Sequence, residues 1–198
     1  SLGRHAWPAG TGRQFGFYFL LLGLAFLFVE MAFIQKFILF LSNPLYSVAV
    51  VLSGFLLFAG LGSAVSERFA RWLPWPGISP VTAAVGAIAV LALFYVLILP
   101  VVFSRFIGLA DPAKIAVSLA LIAPLAFFMG MPFPLGLKRL TGLAPGFVPW
   151  AWGINGFASV VSAVLATLLA IEFGFNVVIV LALLLYALAA RDESQSRQ

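Results

Sequence analysis

Apolar positions in this chain neither alternate as in a strand nor recur on one face as in a soluble amphipathic helix. They run on in blocks of about 20, separated by short polar or proline-containing breaks. A helix needs roughly 20 apolar residues to cross ~30 Å of hydrocarbon. The blocks therefore predict six transmembrane helices, over residues 15–41, 44–66, 80–103, 112–130, 149–173 and 176–190. Three starts carry capping signals. Asn43-Pro44, Ser79-Pro80 and Asp111-Pro112 each place a capping side chain before a proline at the first helical position. Ser42-Asn43-Pro44 turns the chain between the first two spans, and Gly174-Phe175-Asn176 between the last two. Helix is obligatory in lipid, where each unpaired backbone group costs several kcal/mol. The expected fold is all-α and polytopic.

Composition narrows the chemistry. The 198 residues suit one domain, but 64% are hydrophobic against the usual ~45–50%, and 9% are charged against about 25%. A water-facing exterior is excluded. The absence of cysteine removes disulfides, thiolate metal sites, iron–sulfur clusters and cysteine nucleophiles. His5, the single histidine, lies in a polar leader, too far from the bundle for a metal, a haem or a Ser–His–Asp set. No glycine-rich phosphate loop follows a strand. No catalytic residue, metal or cofactor is assigned, and the chain on its own leans away from being an enzyme.

The net charge of +5 reads as topology rather than as a nucleic-acid footprint. Arg4, Arg13, Arg68, Arg71, Lys138, Arg139, Arg191 and Arg197 fall on the side of the termini. Only Arg105 and Lys114 fall in opposite loops, with Lys36 inside the far end of the first span. This bias predicts cytoplasmic termini. Trp7, Trp72, Trp75, Trp150 and Trp152 fall on the same side, as an interfacial belt would. The organisation is then a polar cytoplasmic leader over 1–14, a bundle over 15–190 and a disordered cytoplasmic tail over 191–198. The first span is too long for a signal peptide and lacks a small-residue cleavage site. The start at Ser1 suggests the carboxy-terminal part of something longer.

Three places could carry function. Glu30 lies past the midplane, ~20 Å into the first span at 1.5 Å per residue, where an unpaired acid costs ~2.5–3.5 kcal/mol. Gly16, Gly23 and Glu30 recur at seven-residue spacing, so they share a stripe that predicts close helix contact and an inward-facing carboxyl. Gln35 and Lys36 follow as a candidate donor and counter-charge. A structural pair, a protonated carboxyl and a substrate, proton or cation site all remain open for Glu30. The second place is Gly130-Met131-Pro132-Phe133-Pro134-Leu135-Gly136. Pro132 and Pro134 donate no backbone hydrogen bond, so the helix must break or end there. Broken helices are where transporters build sites, whereas a plain helix end would be anchored by Lys138-Arg139. The third is the stripe Asn155, Ser159, Ser162, Ala166, which suits helix packing. Asn155 is its binding candidate.

Two resemblances follow from these motifs. Glu30-Met31-Ala32-Phe33-Ile34-Gln35-Lys36-Phe37, the stretch Leu39-Phe40-Leu41 to Asn43-Pro44-Leu45-Tyr46, the segment Gly130 to Leu137, and Pro149-Trp150-Ala151-Trp152-Gly153-Ile154-Asn155-Gly156 together resemble one bacterial group. These are the membrane-bound spermidine-synthase-like proteins, in which a transmembrane bundle is fused to a cytoplasmic aminopropyltransferase-like or methyltransferase-like domain. The resemblance spans most of residues 17–190. It implies a multi-pass module of the bacterial cytoplasmic (inner) membrane that holds and feeds such a domain, with polyamine chemistry confined to the soluble part. Separately, Ser63, Glu67, Arg68, Ala70 and Arg71 stand where the loop of major facilitator transporters has Gly, Asp, Arg, Gly and Arg, with three departures. The alternative is therefore half of a secondary transporter for a small, cationic solute, and the second alternative a purely structural subunit. Expected partners are the lipid bilayer and either a cytoplasmic synthase-like domain or a second membrane unit, with no nucleic acid.

Overall fold

The computed structural model describes residues 11–73 and 77–195. His5, Trp7, Trp75 and most of the expected leader lie outside the described residues. The elements are α1 (Thr11–Leu41), α2 (Pro44–Trp72), α3 (Pro80–Phe106), α4 (Asp111–Met129), α5 (Pro132–Leu143), a 3₁₀ turn (Pro145–Phe147), α6 (Val148–Phe173) and α7 (Phe175–Gln195). The described residues contain no strand. Six stretches are long and apolar enough to cross a membrane, with α4 and α5 together forming the fourth, Asp111–Leu143. The all-α, six-span expectation holds.

The boundaries shift in one direction. Helix α1 begins at Thr11 rather than at 15, α2 and α3 run on to Trp72 and Phe106, and α7 continues to Gln195. The expected leader is thus helical from Thr11, and the expected disordered tail is helical over its first five residues. Hydropathy marks where hydrocarbon ends. Backbone hydrogen bonding has no reason to stop at that plane. Two of the three caps form as read. Asn43 Oδ1 accepts from the Leu45 and Tyr46 amides at 2.9 and 3.3 Å, and Ser79 Oγ from the Thr82 amide at 3.0 Å. The third does not: Ala110 occupies the cap position, and Asp111 is the first helical residue. Its carboxylate sits in the first turn, where the helix dipole favours it.

Helix α1 is the axis of the molecule. It packs along α6 and α7 on one side and α2 on the other, and α3 bridges α7 and α4. The order around α1 is α6, α7, α3, α4, α2, and the ring stays open because α2 and α6 make no substantial contact. Phe33 of α1 shows why this helix is the core: its ring meets Phe37, Phe55, Tyr95 and Phe175, drawn from four helices. Leu97, Val160 and Leu184 face outward and exposed, as lipid-contacting side chains must.

Two glycine contacts set the helix spacings. A methyl group at Gly62 of α2 would strike the Phe127 carbonyl oxygen of α4, and one at Gly130 the Ala59 carbonyl oxygen of α2. This reciprocal pair lets the two backbones touch. On α1, a Cβ at Gly23 would lie 2.6 Å from the Asn155 carbonyl oxygen of α6. Next to it, Asn155 Nδ2 donates to the Phe19 carbonyl at 3.1 Å and Ser162 Oγ to that of Leu24 at 2.7 Å. Interhelical bonds of this kind contribute ~0.6–2 kcal/mol each in a bilayer.

Candidate functional site

The break in the fourth span falls where the prolines require it. Helix α4 ends at Met129 and α5 restarts at Pro132, with the Met131 amide bonded to the Phe128 carbonyl at 3.1 Å in a tightened turn. Pro134 has no amide hydrogen for the Gly130 carbonyl, so the helical ladder cannot be continuous. Tyr18 of α1 holds the break from inside, its buried hydroxyl donating to the Pro132 carbonyl at 2.7 Å. Gly136 makes room for that ring, since a Cβ there would collide with Tyr18 Cε1. Gly130, Pro132, Pro134 and Gly136 therefore come together as a broken helix. Their tasks differ: Gly130 touches α2, Gly136 touches α1, and the prolines interrupt the ladder.

Directly in front of the break, the opening between α2 and α6 forms a groove of ≈ 440 Å³. Leu22 and Phe26 of α1 form its back, Leu56 and Gly60 one wall, and Trp152 and Asn155 the other, with Pro132 to Pro134 at its foot. The size matches sites for small molecules, which run to ~300–1,000 Å³. Two of its polar side chains are engaged in packing: Ser159 Oγ donates to the Asn155 carbonyl at 2.9 Å, and the Asn155 amide donates to Phe19. The groove is chemically apolar and suits an acyl chain or a similarly apolar body. Asn155, chosen as a binding candidate, borders the groove, yet its amide nitrogen is used in packing α6 on α1.

Glu30 is 3% exposed, facing the bundle interior as the glycine stripe predicted, and its Oε1 has no hydrogen-bond partner. The expected pairing with Gln35 or Lys36 does not form. At 100° per residue these side chains lie about 140° and 240° around the helix from Glu30, on other faces. Lys36 Nζ sits instead 5.4 Å from the centroid of the Phe175 ring, and Gln35 is half-buried. The structure thus separates the three residues that sequence proximity grouped.

One cluster escaped the sequence reading. Glu193, 6% exposed near the end of α7, accepts from Ser79 Oγ at 2.7 Å and lies 3.4 Å from Arg139 Nη1 of α5. The same guanidinium donates to the Glu193 carbonyl at 2.9 Å. Helices α3, α5 and α7 are tied together at this end of the bundle, where exposed Lys138 and Glu67 also pair at 2.9 Å. A signal existed: Ala182, Tyr186, Ala189 and Glu193 fall at the i, i+4, i+7, i+11 positions of a single buried stripe. An acid continuing such a stripe is buried by register, whatever the polarity of its neighbours.

Long apolar helices with lipid-ready exteriors, a wholly helical core and an interrupted span define a multi-pass helical membrane protein. Compared with known protein families, with curated proteins and with solved structures, the chain has no match.

Proposed function

We propose that this chain is a membrane module of the spermidine-synthase-like type, seated in the bacterial inner membrane, which holds a cytoplasmic synthase-like domain and feeds it an apolar or amphiphilic compound from the bilayer. The observation that carries the reading is the ≈ 440 Å³ groove between α2 and α6. It opens sideways toward lipid and closes at its foot on the broken helix. Just beyond the break lies the end of the bundle tied by Arg139 and Glu193. The excess of basic residues at that end favours a cytoplasmic orientation, in which a domain joined there would face the foot of the groove.

Two measurements test this. Single cysteines at exposed Ser104 and Thr141 should react with a membrane-impermeant thiol reagent from opposite sides, Ser104→Cys in intact cells and Thr141→Cys only after permeabilisation. The reverse pattern would refute the orientation. The in-frame coding sequence upstream of Ser1 should specify a nucleotide-binding βα domain. A second six-span block there would favour the carrier reading instead, and neither one would sink both.

A further inference from the structure

The Glu30 carboxyl is buried, its Oε1 has no hydrogen-bond partner, and among the described residues it forms no ion pair. An ionised carboxylate there would lose its hydration without gaining a donor, at a penalty of several kcal/mol even after relaxation. A neutral carboxyl avoids the charge term altogether. We propose that Glu30 is a reversible proton-binding site, loaded in the resting bundle.

The surroundings support a proton rather than a structural pair. Of the titratable groups on the helices around α1, Tyr186 of α7 is within electrostatic reach of Glu30 and also borders the groove. Lys36 and Lys114 lie over the rings of Phe175 and Phe40, and Tyr95 of α3 packs on Phe33. At the two ends, Lys138 pairs with Glu67 and Arg139 with Glu193, while Tyr46 and Glu172 are exposed at the start of α2 and the end of α6. None of these cations neutralises Glu30.

A hydrophobic carbodiimide reads this state directly. It reacts with a protonated carboxyl in an apolar setting: the O–H adds across one C=N bond, and the O-acylisourea rearranges to a stable N-acylurea. No oxidant or reductant enters. In the protein reconstituted in liposomes, the adduct should map to Glu30, and its rate should fall about tenfold per pH unit on the alkaline side of the titration. Glu30→Gln should give no adduct at this position. Should that variant misfold, the wild-type pH profile with peptide mapping still decides. No adduct at Glu30 at any pH would mean an ionised, paired carboxylate and would overturn the proposal. An adduct rate independent of pH would mean a permanently neutral structural acid, and would overturn it equally.

Discussion

The contact between α1 and α6 allows its own strength to be worked out. In Gly23→Ala the new methyl carbon would sit 2.6 Å from the Asn155 carbonyl oxygen and 2.9 Å from the Ala158 Cβ. Carbon–oxygen contacts across helices settle near ~3.3 Å, so α1 would have to withdraw by about 0.7 Å. The Asn155 Nδ2 to Phe19 carbonyl bond, 3.1 Å in the native bundle, would then stretch to about 3.8 Å and be lost. Overpacking costs ~1–3 kcal/mol, and the lost bond adds ~0.6–1.7. Alanine regains up to ~1 in helix propensity over glycine, leaving a net loss of about 1–4 kcal/mol. Unfolding in mixed micelles of rising dodecyl sulfate content, followed by tryptophan fluorescence, would measure it. Gly156→Ala is the control, because a methyl group there meets open space on the same helix α6. Its stability should be unchanged or slightly raised. Equal stability of the two variants would show that α1 and α6 are not packed at the distance described. A double variant with Asn155→Ala should be less damaging than the sum of its parts, since both remove the same bond.

Two further outcomes follow from burial and backbone geometry. Glu193→Ala should destabilise the bundle by about 2–4 kcal/mol, because it strips Ser79 and Arg139 of a buried acceptor, whereas Glu67→Ala, removing an exposed ion pair, should cost at most ~1 kcal/mol in the same unfolding assay. Gly174 caps α6 at φ 81°, ψ 172°, a conformation open essentially to glycine alone, so Gly174→Ala should cost ~1–3 kcal/mol, and a variant as stable as wild type would contradict that backbone.

Some of this was legible in the chain and some was not, for identifiable reasons. The spans were legible because lipid leaves the backbone no alternative to helix. The break at Pro132 was legible because a missing amide hydrogen is a local fact. So was the inward direction of Glu30, which needed only the seven-residue spacing to Gly23 and Gly16. The partners of Glu30 were not, since Gln35 and Lys36 are near in sequence and far around the helix. The tie between Ser79 and Glu193 joins residues on the third and last spans, and no local pattern in either segment points to the other. The groove was invisible for the same reason: it is the place where α2 and α6 fail to meet, a property of the packing order.

That packing order also sets a schedule. Among the described helices, the one that serves as the axis is made first, while two of its main neighbours, α6 and α7, come last. Roughly a hundred residues separate the end of α1 from the start of α6, about 5–20 s of translation at ~5–20 residues per second. Through that interval the face bearing Gly16, Gly23 and Glu30 has no native cover. The nascent chain must leave the Glu30 carboxyl to lipid, or to the insertion machinery, until α6 and α7 arrive to enclose it.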